Sequence, residues 1–298
     1  MLQAGNKLIF HCDDMGATCS ITTRLLEAWN NCLIDGFSVF ANTQFGDIIQ
    51  KTLQSSPEKY ARISVHLNLW EGKPLSPAEK VPLLVNKDGF FKIEFFNILR
   101  YYLFSSRKGK LVLLKEIETE WRAQIEKVKE IIKPRVLRAI DGHIHIHMPS
   151  FLFDLAARLA REYSIPEIRI VAEPFYISSK FSECFSKTFI INIVKRWVLA
   201  VFGHYNIRIA KKYGLKHPDA MIGVLYSGII SKANIKSGIM AAENRGKKRI
   251  EVLMHIGRAE ESELSRWQGN HSKAGFVLNH NRDLEYADLV LLRKNNNG

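Results

Sequence analysis

Three histidines alternate with apolar residues in the middle of the chain. His143, His145 and His147 are separated by single isoleucines at positions 144 and 146. Successive side chains of an extended strand point to opposite faces, so this spacing predicts that the three imidazoles share one face. Imidazoles gathered in a small volume can ligate a metal, relay protons or bind an anion, if other parts of the chain supply partners. A single histidine is more often structural, but three on one face favour a functional site.

Two adjacent carboxylates end the first apolar run of the chain. Asp13 and Asp14 follow the run that ends at His11, and Gly16 supports a tight turn just after them. The carboxyl ends of parallel strands are where α/β enzymes build their sites. A metal can hold one carboxylate while its neighbour stays free as a base, and the structural alternative is a turn or a helix cap.

Two further histidines lie at the ends of predicted strands. His66 belongs to an alternating segment, and His255 follows an apolar run and precedes Gly257. With one carboxylate of the acidic pair and His143, His66 completes a set that suits a divalent ion with water at its remaining positions. His255 is placed to protonate a leaving atom in metal-assisted hydrolysis, with a strand-end surface histidine as the structural alternative.

Short apolar runs separated by helical patterns must position these side chains. Such repetition is typical of βα units around a mainly parallel sheet, and eight strands favour an α/β barrel. The predicted strands are Lys7–His11, Phe37–Ala41, Ile63–Asn68, Ala139–His143, Ile168–Val171, Met221–Tyr226, Ile250–Met254 and Leu289–Leu292.

Helical periodicity links several of these strands. An apolar face that begins at Ile21 predicts a helix capped by Ser20. A longer amphipathic helix is predicted from Leu114 to Ile132, where Pro134 stops it, and another from Phe151 to Tyr163.

Two stretches, near 90–110 and 181–216, interrupt the strand–helix alternation. The first is aromatic and basic, and the second combines a broad apolar face with several lysines and arginines. They are interpreted as helical insertions packed on the core with solvated basic faces. The alternative is an interfacial surface that docks on anionic lipid or covers a lipid-linked substrate. We expect a single domain over residues 1–293 and a disordered tail at 294–298.

Composition narrows the class of protein. The chain is 46% hydrophobic and 24% charged, as in ordinary globular proteins, and its net charge of +13 favours an anionic partner such as nucleic acid, acidic lipid or a phosphorylated substrate. The four cysteines form no CxxC pair, which favours a reducing compartment. With no apolar leader and no long apolar run, we expect a cytoplasmic protein. Peripheral contact with the inner membrane face stays open.

The motifs occur in a characteristic order along almost the whole chain. This set resembles the YdjC/ChbG-like carbohydrate deacetylases, and the HpnK branch, linked to hopanoid glycolipids, is the most similar because of its long basic and apolar region. The resemblance implies a distorted (β/α) barrel related to NodB-type deacetylases, a divalent metal and removal of an N-acetyl group from an amino sugar. The motifs are Asp13-Asp14-Met15-Gly16, Val65-His66-Leu67-Asn68, Asp141-Gly142-His143 with its two following histidines, Met254-His255-Ile256-Gly257 and Arg282-Asp283-Leu284-Glu285.

The resemblance also implies a role for individual residues. The metal, Mg²⁺ or Zn²⁺, would be bound by Asp14, His66 and His143, while Asp13 would be the base and His255 the general acid. Substrate contacts are expected from His145, Asn68 and Arg282. The chain departs from the family pattern with Ile256 where a proline is usual and Met15 where a phenylalanine is usual.

Three other functions share parts of this pattern. An amidohydrolase acting on another amide uses an HxH pair, although on its first strand. An iron oxygenase uses two histidines and one carboxylate. A basic protein that binds lipid or nucleic acid without catalysis would leave the histidines structural. We expect an N-acetylated amino sugar as the partner, either free, lipid-linked or phosphorylated, and no nucleic acid. The sequence leaves the sugar, its aglycone and the oligomeric state open.

Overall fold

One parallel sheet organises the structure, a computed structural model that describes residues 7–56, 61–267 and 274–294. Seven strands in these ranges follow the order β5-β4-β3-β2-β1-β7-β6, and helices surround the curled sheet. This arrangement confirms the predicted distorted (β/α) barrel. The strands are β1 (Lys7–Met15), β2 (Gly36–Val39), β3 (Arg62–Leu67), β4 (Ala139–Gly142), β5 (Glu167–Ile168), β6 (Ala220–Ile222) and β7 (Arg249–Met254).

Nine α-helices occur in the described ranges, together with short 3-10 segments. The helices are α1 (Cys19–Asn30), α2 (Gly46–Ser55), α3 (Phe95–Phe104), α4 (Arg107–Ile131), α5 (Ser150–Glu162), α6 (Lys187–Lys212), α7 (Lys232–Glu243), α8 (Ala274–Val277) and α9 (Asn281–Lys294). The 3-10 segments are Ala78–Lys80, His143–His145, Phe181–Phe185 and Glu261–Trp267. Within the described part of the chain, no helix combines the length and apolar character needed to cross a membrane.

The core forms where amphipathic helices pack against the sheet. In α1, the predicted apolar positions are buried, and the Trp29 ring meets Phe37 of β2 edge-on with centroids 5.5 Å apart. The apolar face of α4 is likewise buried around Trp121. The periodicity therefore predicted these helices correctly.

Two local predictions were wrong. The eighth strand, Leu289–Leu292, lies inside α9, because Leu289 and Leu292 belong to a helical buried face. The cap of α1 is Thr18 rather than Ser20, since the Thr18 hydroxyl accepts the backbone N–H of Ile21.

The residues that the structure describes cover only part of the remaining domain predictions. The stretch 90–110 carries α3 and the first turn of α4, and 181–216 carries a 3-10 segment and α6. Their status as insertions in a single domain stays a prediction. Lys294 ends α9, and the rest of the expected disordered tail, 295–298, lies outside the described residues.

Candidate active site and metal centre

A bulge at the end of β1 turns its two carboxylates in different directions. The pairing of β1 with β2 shifts register between Cys12 and Met15, and Asp14 has a φ of 72°, a conformation that costs a non-glycine residue energy. Asp13 consequently reaches toward β5, while Asp14 reaches toward the ends of β3 and β4. The adjacent pair thus divides into two separate environments.

Asp14, His66 and His143 form a compact cluster. The Oδ1 atom of Asp14 lies 3.7 Å from His66 Nε2 and 3.5 Å from His143 Nδ1, and the two ring nitrogens are 3.3 Å apart. The ring of Phe40 packs against both imidazoles. One carboxylate oxygen and two imidazole nitrogens therefore converge on one point from three strand ends.

Each imidazole of the cluster is oriented by a second carboxylate. Asp141 lies 2.8 Å from His66 Nδ1, and Glu71 lies 3.0 Å from His143 Nε2. A proton held at these outer nitrogens leaves the lone pairs of His66 Nε2 and His143 Nδ1 facing Asp14. The donor set and its supporting carboxylates therefore fit a divalent metal ion.

The three alternating histidines do not lie on one strand face, so that prediction was wrong. β4 ends at Gly142, and the chain then enters a 3-10 turn in which Ile144 and His145 have φ values of 49° and 62°. The turn sends His143 toward Asp14 and buries the other two imidazoles. His147 Nε2 donates to the backbone oxygen of Arg169, which is a structural role.

Asp13 is held in a buried network of polar side chains. Arg169 donates to both of its oxygens at 2.8 and 2.9 Å, and Ser38 donates to Oδ1. Although burial opposes ionisation, the charge of Arg169 lowers the pKa of Asp13. Asp13 is therefore a fixed carboxylate at neutral pH.

A second group with potential metal ligands lies next to the first. His11, Asp13 and Asp141 come together around the Ser38 hydroxyl. The Arg169 guanidinium reaches both carboxylates of this group, at 2.8 and 3.3 Å. A cation is thus already supplied by the protein, and we interpret this group as a buried ion network.

His255 lies close to the candidate metal centre, directly after the end of β7. Its backbone N–H donates to Glu285, and its Nδ1 atom has no hydrogen-bond partner in the described part of the chain. Burial lowers the pKa of His255 to about 4. It is therefore neutral at pH 7 in this state of the protein.

The three predicted substrate contacts are placed differently. Arg282 donates to Asp14 Oδ2 at 3.1 Å and to the backbone oxygen of Gly257, which favours a role in positioning Asp14. The Asn68 amide is bonded to the loop that carries Glu71, which favours a role in shaping that loop. His145 is buried, and its Nδ1 atom has no partner among the described residues.

An apolar cavity of about 630 Å³ opens beside the cluster. Ile144, which follows His143, lines it together with Trp70, whose ring centroid is 6.2 Å from that of His143. Lys195 of α6 also lines the cavity, and burial lowers its pKa. The cavity and the candidate metal centre are therefore neighbours.

Comparison with known proteins identifies the family of this chain. The model of the family described as YdjC-like protein matches residues 7–290. The chain belongs to the YdjC-like protein family.

Several relatives of this YdjC-like protein are named carbohydrate deacetylase. The one from Oceanobacillus iheyensis is 30% identical over 154 residues, which are 52% of this chain and 60% of that protein. The one from Danio rerio is 28% identical over 187 residues, 62% of this chain and 55% of that protein. The one from Clostridium beijerinckii is 25% identical over 232 residues, 76% and 86% of the two chains. The first two alignments thus span less than two thirds of those relatives.

A solved structure has the same fold as this YdjC-like protein. It is a crystal structure from Enterococcus faecalis, described as a candidate cellobiose-phosphate cleavage protein. The TM-score is 0.65 at 21% sequence identity, and the match covers 97% of this chain and 95% of the other. At this identity the likeness concerns the fold alone.

Sequence reasoning missed several residues that support the site of this YdjC-like protein. Asp141, Ser38 and Glu71 hold the candidate ligands or the base, and Arg169 anchors Asp13. A signal existed for two of them. Asp141 adjoins the histidine motif, and Arg169 is a charged residue inside an apolar run. Ser38 and Glu71 are recognisable only in three dimensions.

Proposed function

We propose that this protein is a metal-dependent hydrolase that removes an N-acetyl group from an amino sugar. The observation that carries the proposal is the convergence of Asp14, His66 and His143, with both imidazoles oriented by outer carboxylates. The relatives named carbohydrate deacetylase support the choice of reaction. Amide hydrolysis also matches a site that offers a fixed carboxylate and a neutral histidine near the same cluster.

The metal would be held by Asp14 Oδ1, His66 Nε2 and His143 Nδ1, the three atoms that face one another. When bound, a divalent ion such as Mg²⁺ or Zn²⁺ supplies Lewis acidity and lowers the pKa of water to a range useful at neutral pH. Although burial acts against it, the nearby charge of Arg282 helps to hold the pKa of Asp14 well below its usual value. Asp14 thus stays anionic, as a ligand must.

Two other side chains would move protons. Asp13 accepts the proton of the attacking water, because Arg169 keeps it ionised and each carboxylate oxygen has a second lone pair for this contact. His255 delivers a proton to the departing amine through its unpartnered Nδ1. Because His255 is neutral at pH 7, it must first gain a proton, and the proton that Asp13 takes from water supplies it and balances the reaction. The overall change is one amide and one water converted to one amine and one acetate.

The lining of the cavity beside the cluster indicates which class of amino sugar it would bind. We infer an amino sugar that is phosphorylated or lipid-linked, because Lys195 and an apolar wall line the cavity beside the cluster. Lys195 has no hydrogen bond or ion pair with any described residue, so its side-chain nitrogen can donate to an anionic group of the substrate. Lys195→Met is expected to lower kcat/KM about tenfold for a phosphate-bearing N-acetylhexosamine and to leave the free sugar unaffected. Lys211→Met, an exposed change on the same helix, is the control.

We also propose that the protein works in the cytoplasm, where its four free cysteines would stay reduced. Cell fractionation with an antibody to the protein tests this location. Recovery in a membrane pellet that salt removes would be compatible with peripheral contact, whereas recovery from an oxidising compartment would contradict the proposal.

The function is tested by acetate release from N-acetylated amino sugars after chelation and after reconstitution with Mg²⁺ or Zn²⁺. Asp14→Asn and His143→Ala should lower both metal content and kcat at least a hundredfold, because each removes one ligand. His280→Ala, which changes an exposed histidine, is the matched control. Full activity of the ligand variants would refute the site, and equal activity on amides without a sugar would favour an amidohydrolase of broader range.

A further inference from the structure

Many apolar side chains of α6 point outward rather than inward. Its buried positions include Asn192, Gly203 and Asn206 among few large apolar residues. The opposite face carries Ile190, Val194, Trp197, Val201 and Tyr205, spaced so that they form one stripe along the helix, and all are exposed. Trp197 is 67% exposed, which is unusual for the largest apolar side chain. We call these five residues the α6 stripe.

Neighbouring elements extend this apolar surface. Phe95 of α3 contacts Phe202 of α6, so α3 approaches α6 at this point. On α3, Phe96 is 70% exposed and Phe104 is 84% exposed. Phe185, in the 3-10 segment that leads into α6, is 71% exposed. Exposed aromatic residues on three adjoining elements exceed the scattered apolar residues of an ordinary surface.

The surroundings of the α6 stripe are strongly basic. α6 contains six lysines and arginines and no aspartate or glutamate. Lys187 precedes Ile190 by three residues, and Arg208 follows Tyr205 by three, so both exposed cations flank the stripe on its own face. A surface with an apolar centre and cationic ends matches the interface of an anionic bilayer, where apolar side chains enter the acyl boundary and cations meet lipid phosphates.

The apolar cavity beside the candidate metal centre opens onto this surface. Val194 of the α6 stripe lines it, together with Phe96 of α3, and Ile144 lines it next to His143. A molecule that reaches the cluster through the cavity therefore passes the exposed apolar residues. The surface and the site form one continuous feature.

We propose that the α6 stripe, with the exposed aromatic residues of α3 and Phe185, docks the protein on an anionic lipid bilayer and presents the cavity mouth to the membrane. The use of the cavity for substrate entry rests on the proposed deacetylase function, but docking itself does not. A second copy of this chain is the less favourable occupant, because pairing two such faces would bring two sets of α6 cations together. A bilayer of opposite charge has no such repulsion.

Binding to vesicles tests the proposal. The wild-type protein is expected to sediment with vesicles containing phosphatidylglycerol, to bind phosphatidylcholine vesicles at least tenfold more weakly, and to lose affinity as salt increases. The double variant Ile190→Glu with Trp197→Glu should bind anionic vesicles at least tenfold more weakly. Ile48→Glu, a change at an exposed isoleucine of α2, should bind like the wild type. Lys187→Gln with Arg208→Gln should weaken binding only to anionic vesicles.

Thermal unfolding of each variant shows whether its fold is retained, and light scattering shows whether the protein is a monomer. Equal vesicle binding by the stripe variant and the wild type would overturn the proposal, as would a stable dimer that the stripe variant dissociates. Asp14→Asn should bind vesicles normally, because the metal centre takes no part in docking. Docking without deacetylation would therefore refute only the proposed function, and deacetylation without docking only this inference.

Discussion

The two histidines of the candidate metal centre depend on carboxylates that lie outside it. Asp141 holds His66, and Asp141 is itself bound by the Ser38 hydroxyl and faces Arg169. Although burial opposes ionisation, Arg169 and His66 keep the pKa of Asp141 below its usual value. An ionised Asp141 keeps the proton of His66 on Nδ1 and leaves Nε2 to bind a metal.

Replacement of Asp141 by asparagine should weaken metal binding about 10- to 100-fold, because the amide holds His66 less firmly in the required tautomer. Isothermal titration with Zn²⁺ and Mg²⁺ measures the change. Asp154→Asn, which alters an exposed aspartate paired with Lys212, is the control. Unchanged affinity in Asp141→Asn would show that His66 does not rely on this contact.

At the residue scale, the sequence predicted which side chains gather but not how they do so. Asp14, His66 and His143 meet as the strand-end argument predicted. The prediction that the three histidines share a strand face was wrong, because an alternating sequence does not reveal the sign of φ. Ile144 adopts a positive φ, which a β-branched residue rarely has. Such strain is typical of functional sites and is not visible in residue spacing.

Buried charges link the strands beneath the site at the element scale. Arg169, one residue beyond β5, contacts Asp13 of β1 and Glu251 of β7. Arg62 of β3 contacts Glu251 and Glu167 of β5. Each guanidinium therefore joins carboxylates from different strands. Since burying a charge without its partner is costly, these contacts make the sheet intolerant of single changes.

Arg169→Met should lower the free energy of unfolding by about 3–5 kcal/mol, because it leaves Asp13 buried without its cation and removes one of the two cations that contact Glu251. Arg122→Met, in a partly exposed surface cluster with Glu118 and Glu162, should cost no more than about 1 kcal/mol. Urea unfolding followed by circular dichroism compares the two. Similar losses would indicate that the buried network adds nothing beyond ordinary surface pairing.

The sequence predicted the seven strands of the sheet because their apolar runs are short and have clear ends. The eighth failed for a chemical reason. The buried face of α9 consists of Arg282, Glu285, Leu289 and Leu292. Its first two positions are charged because Arg282 binds Asp14 and Glu285 binds the backbone of His255. These two buried charged residues therefore obscured the amphipathic pattern of α9 in the sequence.

At the scale of the whole molecule, one buried carboxyl links stability to pH. Glu173 accepts the backbone N–H groups of Gly223 and Leu225, and burial nevertheless raises its pKa from 4.5 to about 7. The folded state thus holds this proton more tightly than the unfolded chain. The contribution of Glu173 to stability therefore falls as pH rises from about 4.5 to about 7, by roughly 3 kcal/mol in total.

Glu173→Gln should remove this dependence, since a neutral amide does not titrate. Between pH 4.5 and pH 7.5, the unfolding free energy of the wild type is expected to fall by roughly 3 kcal/mol relative to that of Glu173→Gln. Urea unfolding at five or six pH values measures it. Parallel curves for the two proteins would contradict the raised pKa.

The net charge of +13 predicted an anionic partner without identifying it. The structure shows where part of that positive charge lies. α6 carries cations beside an exposed apolar stripe, a pattern that its sequence alone left divided between a packed helix and an interfacial surface. Only the fold shows which face of α6 stays uncovered when α5 packs against the helix.

We propose that one divalent ion bound by Asp14, His66 and His143 supports deacetylation. The most direct measurement is acetate release from an N-acetylated amino sugar while the metal-free protein is titrated with Zn²⁺ or Mg²⁺. We predict that activity rises to a plateau at one equivalent of ion per chain and that His66→Ala shows no such rise. Undiminished acetate release from the metal-free protein, or a normal titration curve for His66→Ala, would contradict the account.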